Sequence, residues 1–218
     1  MGLGKGGERM NWMDMSVREF QAALASSSPT PGGGTAAAVS LGHAASLAIM
    51  VCDLTIGKEK WQPGWEIAES IQKLAIPMLN RAGDLATEDS DAFDGVMGSF
   101  GLPKSTDEEK EQRRLAIREA TLRAAEVPYE TATLARNLLN KLPELARRGN
   151  ANAVTDVGVA GLLASAAAKG AVFNVEINLS GLPADYGVEI REEMDELKEE
   201  IRLKSREVMD AVRERMSE

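Results

Sequence analysis

Apolar residues recur along this chain at the spacing of helices, and no run alternates apolar with polar as a strand requires. Ser16-Val17-Arg18-Glu19 has the form of a capping box, and Val17, Phe20 and Leu24 follow at helical intervals. Over residues 35–56 nearly every position is apolar or small, which predicts a central helix closed by Gly57. A third helix is expected from about Pro63 to Phe100, kinked near Pro77 and broken by Gly101-Leu102-Pro103. Thr106 to Glu109 forms a second capping box. It opens a helix towards Glu126 that Pro128 kinks or restarts, and Pro143 does the same before Gly149-Asn150. An alanine-rich helix follows over residues 153–179. In the last helix, Val188–Met216, residues Ile190, Met194, Leu197, Ile201, Val208 and Val212 make one apolar stripe among Glu, Lys and Arg. The pattern predicts an all-α, multi-helical bundle with long, proline-kinked helices. It forms one domain over residues 16–218, behind a flexible N-terminal segment of residues 1–15.

Composition sharpens this picture. Aromatic residues are only 4% of the 218, so the core must be built from Ala, Leu, Val, Ile and Met, which suits close-packed helices better than a sheet. Helices that are apolar all round would be costly to expose, at roughly 25 cal/mol per Å² of apolar area, so a two-fold homodimer is expected. The uncharged run of residues 36–52 falls below the usual bilayer span and reads as a buried helix of a soluble protein, with no membrane partner. A net charge of −9, with no cluster of Lys and Arg, argues against a nucleic-acid surface. The single cysteine, Cys52, leaves no intrachain disulfide and fits a reducing, cytoplasmic setting.

Candidate chemistry begins at Ser28-Pro29-Thr30-Pro31-Gly32-Gly33-Gly34-Thr35. Two prolines stiffen the approach, and three glycines either bed a flat ligand or let two helices approach closely. Thr35 is the expected N-cap, with free N–H groups of the first turn facing an anion or carbonyl oxygen. The one histidine, His43, and Cys52 face opposite sides of their helix at roughly 100° per residue, so they make neither a nucleophilic pair nor a zinc site. His43 is read as a satisfied core residue.

Carboxylates and amides are what is left. Asp89, Phe93 and Met97 share a helix face, either as a solvated acid beside core residues or as a base beside the wall of a ring site. Asn174 and Asn178 share another face, where they bond to neighbouring backbone or read a ring edge. Asp156 caps a helix start or serves as a second base. It lies ~27 Å from Asn174 along an intact helix, so only a break near Gly158 or Gly161, or a second subunit, would unite them. Lys58 follows a helix end, where a cation is favoured in any case.

With these residues in place, the chain resembles the cyclodeaminase domain of formiminotransferase-cyclodeaminase and its free-standing relatives, which include methenyltetrahydrofolate cyclohydrolases. The resemblance rests on Pro29-Thr30-Pro31-Gly32-Gly33-Gly34-Thr35, Leu54-Thr55-Ile56-Gly57-Lys58, Asp89-Ser90-Asp91-Ala92-Phe93 and Leu102-Pro103-Lys104. It continues through Gly149-Asn150, Thr155-Asp156-Val157-Gly158-Val159-Ala160 and Asn174-Val175-Glu176-Ile177-Asn178-Leu179, in order from about Ser16 to Leu182. In the family the glycine triplet is usually followed by Ser, and Thr35 keeps the hydroxyl.

The resemblance implies a dimeric helical bundle that takes a tetrahydrofolate as substrate, with no metal and no prosthetic group. A chain of this length leaves no room for a transferase domain as well. The implied activity is hydrolysis of 5,10-methenyltetrahydrofolate to 10-formyltetrahydrofolate. The alternatives are cyclodeamination of the 5-formimino compound with loss of ammonia, or folate binding without catalysis. On that basis Asp89 is the leading base, Asp156 the second, and Thr35 polarises a developing oxygen. Gly32, Gly33 and Gly34 lie against the pterin, Phe93 stacks on it, and Asn174 and Asn178 bond its edge. Thr55 accompanies Lys58, and Lys58 and Lys104 pair with the glutamate tail.

Overall fold

The computed structural model describes residues 11–218, and among these it is helical throughout with no strand. The helices are α1 (Val17–Leu24), α2 (Gly33–Thr55), α3 (Trp65–Phe100), α4 (Asp107–Leu139), α5 (Leu142–Arg148), α6 (Val154–Ser180) and α7 (Val188–Met216). Both capping boxes form: Ser16 with Glu19 opens α1, and Thr106 with Glu109 opens α4. Ten of the fifteen residues expected to be a flexible segment lie outside the described residues. Asn11 to Met15 are ordered, with a 3₁₀ turn at Trp12–Asp14 whose start the Asn11 side chain caps.

Three antiparallel helices, α3, α2 and α6 in spatial order, frame one side of the bundle. Thr35 meets Asp89, Gly42 meets Ala82 and Asp53 meets Gln72, which runs α2 against α3. On its other flank Ala37 meets Gly170, and Thr55 meets Asn150. α4 lies behind, packed on both α3 and α6, and α7 closes the far side against α4, α5 and α6. Alanine is the commonest residue of the interior, with Leu, Val and Ile between, so the helix axes come close. A smaller core of Ala38, Leu85, Ala86, Ala92, Ala124 and Val127 sits between α2, α3 and α4, with Trp12 packed against it.

The expected helix through Pro77 and the restart at Pro143 are both present, and α4 does not restart at Pro128. Pro77 and Pro128 lie inside unbroken helices, so neither helix stops at its proline and α4 continues thirteen residues past Glu126 to Leu139. Pro128 has no N–H for the carbonyl four residues earlier, that of Ala124. Asn178 of α6 supplies the missing donor, with its Nδ2 2.8 Å from that oxygen. The proline is tolerated because a side chain from another helix satisfies the carbonyl it orphans.

His43 is exposed on α2 instead of lying in the core, while Cys52 is buried with its thiol pushed up to about 12, chiefly by desolvation. Both α2 and the stretch Ala151–Ser180 are long and apolar enough to cross a bilayer, and roughly half of each is buried inside the bundle.

The proline and its remote donor should be coupled. Asn178→Ala is expected to cost about 1–3 kcal/mol of stability, as one orphaned carbonyl does. The cost should shrink in a Pro128→Ala background, where the helix supplies its own N–H. Denaturant unfolding of the four members of the cycle measures the coupling.

Candidate active site

The centre of the site is a carboxylate from one helix set on the N-terminus of another. α2 begins at Gly32, which has no side chain to cap it. Asp89 of α3 takes that place. The Thr35 hydroxyl donates to its Oδ2 at 3.0 Å, and its carboxyl lies so close over Gly34 that a Cβ there would sit 2.1 Å from Oδ1. Gly34 is therefore bare because Asp89 occupies the space of its side chain. The positive end of the α2 dipole favours the ionised acid. Burial opposes it and pushes the Asp89 carboxyl above the ordinary carboxylate value, while the Thr35 hydroxyl and backbone N–H pull it partway back.

This corrects the reading of Thr35. It is not the N-cap but lies inside the first turn, wholly buried, with its hydroxyl bonded to Asp89 and to Ser90 Oγ at 3.0 Å. It acts on the carboxylate and is not placed to meet a ligand oxygen. Gly32 is half-buried, and Gly33 is the exposed member of the triplet, with Asn174 Nδ2 4.0 Å from where its Cβ would be. Asn174 thus joins the rim of the site from α6. Its Nδ2 donates to Gly170 O at 2.9 Å, and Asn178 Nδ2 is committed to Asn174 O and Ala124 O. Both amide nitrogens are thus engaged by backbone carbonyls, which sets how each amide is turned.

Beyond Asp89, α3 presents Phe93, Met97 and Phe100 as an exposed apolar stripe. It leads ~16 Å along the helix, at 1.5 Å per residue, towards the exposed Lys104 in the turn that follows. Asp89 and Phe93 therefore do form one wall, and the aromatic ring is outside the core.

Three predicted residues lie elsewhere. Thr55 is buried at the opposite end of α2, donating to Val51 O at 2.7 Å and accepting from Asn150 N at 3.0 Å. It pins the Gly149–Asn150 turn. Lys58 is exposed just past Gly57, whose φ of 74° needs a glycine. Asp156 is in the first turn of α6, which runs unbroken through Gly158 and Gly161, so no bend brings it to Asn174. Within one chain these three stand ~30 Å from Asp89, the length of α2. Among the described residues no group of three or more His, Cys, Asp or Glu is placed to hold a metal.

Comparison with known proteins gives the family and the fold. The family model for formiminotransferase-cyclodeaminase matches residues 16–212. The chain belongs to that family. It is 40% identical over 167 residues to a methenyltetrahydrofolate cyclohydrolase from Methylorubrum extorquens, covering 77% of this chain and 80% of that protein. It is 37% identical over 167 residues to the formimidoyltransferase-cyclodeaminase of Gallus gallus, covering 75% of this chain but only 30% of that larger protein. Among solved structures, a formiminotetrahydrofolate cyclodeaminase from Thermotoga maritima superposes with a TM-score of 0.81 at 28% identity, over 92% of this chain and 97% of that one. The family's fold is therefore the fold of this chain.

Two residues of the site were missed from sequence. Ser90 stands beside Asp89 in the matched segment but reads as an ordinary helix serine. Trp12 lies before the first capping box in a stretch with no periodicity. Its Nε1 donates to Ser90 Oγ at 2.9 Å. The unused signal was a tryptophan just ahead of the domain, a costly residue to leave in solvent.

The raised carboxyl carries a stability consequence. The folded chain holds a proton on Asp89 more tightly than the unfolded chain, so this group's contribution falls as pH rises from the ordinary carboxylate range through its folded value. Asp89→Asn, which can still accept from Thr35, should unfold at pH 7 at the same temperature as wild type or higher. Its advantage should vanish as pH falls into the ordinary carboxylate range, as thermal melts across pH would show.

Proposed function

We propose that this protein hydrolyses 5,10-methenyltetrahydrofolate to 10-formyltetrahydrofolate and catalyses the reverse cyclisation, with Asp89 as the base. The observation that carries the reading is the half-buried Asp89 carboxylate on the bare start of α2, beside the Phe93 stripe, in a chain 40% identical to a cyclohydrolase over most of its length. The methenyl carbon is already an electrophilic iminium, so what the protein must supply is an oriented water and a proton acceptor. Asp89 accepts one proton as water oxygen bonds to that carbon. The C–N5 bond then breaks, N5 gains a proton and the new hydroxyl loses one to become the formyl oxygen, so one proton is released overall. A carboxylate whose affinity for protons is raised by burial is a better acceptor than one in water. The exposed Gly33 and the Phe93 ring bed the pterin, Asn174 and Asn178 offer their carbonyl oxygens to its edge, and Lys104 meets the anionic tail at the far end of the stripe.

The protein works as a cytoplasmic homodimer with no prosthetic group and no nucleic-acid or membrane partner. Support for the dimer is an open apolar face. Met50 and Leu54 of α2 and Val159, Leu162, Phe173 and Ile177 of α6 are all exposed, and large apolar residues grouped on neighbouring helices mark an interaction surface. A two-fold axis near the middle of α2 sets two copies of that helix antiparallel. The Thr55–Lys58 end of one copy, with Asp156, then approaches the glycine turn of the other, and Lys58 and Asp156 act there.

Cyclodeamination of 5-formiminotetrahydrofolate is the second reading, favoured by the likeness to the Thermotoga maritima protein, a formiminotetrahydrofolate cyclodeaminase. Both reactions pass through the same carbon. Loss of the methenyl form above its uncatalysed rate supports the first, ammonia release from the formimino compound the second, and neither activity leaves a folate-binding protein. Asp89→Asn should lower turnover by at least about 10²-fold with the fold intact; a fall of only a few-fold removes Asp89 as the base. Leu162→Glu, centred on the apolar face, should give a folded monomer by light scattering, and a persistent dimer would place the interface elsewhere.

A further inference from the structure

Four polar side chains from three separate elements form one continuous line ending at Asp89. Trp12 Nε1 lies 2.9 Å from Ser90 Oγ, Ser90 Oγ 3.0 Å from Thr35 Oγ1, and Thr35 Oγ1 3.0 Å from Asp89 Oδ2. Ser90 and Thr35 are buried, so water does not interrupt the line. Its direction follows from its ends. An indole N–H only donates, and an ionised carboxylate only accepts. Ser90 therefore accepts from Trp12 and passes its own proton to Thr35, whose proton goes to Asp89. The reverse order would leave Ser90 pointing at a ring nitrogen with no lone pair to offer.

We propose that Trp12 and Ser90 are positioning residues for Asp89: through Thr35 they hold its carboxyl as an acceptor in one orientation over the bare Gly34. The inference goes beyond the family's glycine turn and acid, and it gives the turn ahead of α1 a part in the site. Trp12 is fixed for the purpose, packed on the small core and edge-on to Phe20 with ring centroids 6.5 Å apart. Hydrogen bonds aligned head to tail polarise one another, so the loss of the first weakens the last. Ionisable groups on the surrounding elements include Asp14 close to Trp12 in sequence, Glu88 and Asp91 on α3, Arg123 and Glu126 on α4, and Lys169 and Glu176 on α6. Residues 32 to 42 of α2 contain none. Glu88 is engaged by Arg81 and Arg123. All of these are unchanged in the variants below.

The test uses Trp12→Phe, which keeps a ring on the core but removes the donor, and Ser90→Ala, which breaks the line in the middle. Because the proposal rests on Asp89 as the base, it is read in two independent ways. The first is the titration of the Asp89 carboxyl in the free protein by carbon-13 NMR, its signal assigned by its loss in Asp89→Asn. The second is kcat and KM for 5,10-methenyltetrahydrofolate. Both variants should raise the Asp89 midpoint, by about half a pH unit, since the Thr35 hydroxyl that donates to the charged form is no longer polarised from behind. They should lower kcat by about two- to tenfold, the worth of one hydrogen bond, with little change in KM. A purely structural tryptophan would lower the melting temperature and leave the midpoint where it is. If Ser90→Ala fails to fold, Trp12→Phe alone decides, since its ring is only partly buried. A folded Trp12→Phe with both midpoint and kcat at wild-type values overturns the proposal. A shifted midpoint alongside an active Asp89→Asn supports the line of hydrogen bonds and overturns the base assignment instead.

Discussion

A single carboxylate placed on the open end of a helix organises this protein. α2 has four leading N–H groups and no side chain of its own at Gly32 to meet them. Asp89 comes from α3 to do so, and everything near it is arranged to let it in. Gly34 gives up its side chain, Thr35 turns a hydroxyl towards it, and Ala38, Ala86 and Ala92 keep the helices close enough for the reach. The same contact that docks α2 onto α3 leaves a carboxylate half-buried beside an apolar wall. Docking and the raised proton affinity come from one interaction: the burial that seats Asp89 on α2 is also what raises its carboxyl.

Small residues make this possible across the whole bundle. Gly161 meets Val208 and Gly158 meets Val212 where α7 crosses α6, and Gly170 meets Ala37 where α6 crosses α2. Alanine at about half of the buried apolar positions brings helix axes together, which strengthens dispersion contacts but leaves little side-chain volume to define which face points inward. The consequence is visible in α2 and α6. Their apolar residues continue round to solvent, so the packing rule that built the core also built the face left open.

Much of this was legible in the sequence, and the parts that were not share a cause. The capping boxes at Ser16 and Thr106 and the stripe of α7 were readable because local rules set them. Asp89 and Phe93 on one face followed from spacing alone. His43 was misread because a helix apolar all round has no period to say which side is out. Thr35 was misread because a threonine behind glycines looks like a cap, and only the third dimension shows a distant aspartate already in that role. Thr55 and Lys58 matched the family's segments, yet sequence proximity to a motif does not shorten a helix ~30 Å long. Pro128 is the plainest instance. Locally it breaks a helix; in the fold, Asn178 from another helix repairs the break.

That repair bears on what Asn178 does. An amide whose nitrogen is bound to Ala124 O and Asn174 O cannot rotate, so its oxygen is held in one direction without any help from a ligand. Asn174 is fixed in the same way by Gly170 O. Two amide oxygens locked by backbone on α6 stand across the start of α2 from an acid locked by two hydroxyls and an indole on α3. Groups held this firmly pay their ordering entropy when the chain folds, not when substrate arrives. The carbonyl that the proline in α4 orphans and the indole ahead of α1 thus act alike from opposite sides: each fixes the direction of a polar group beside the start of α2.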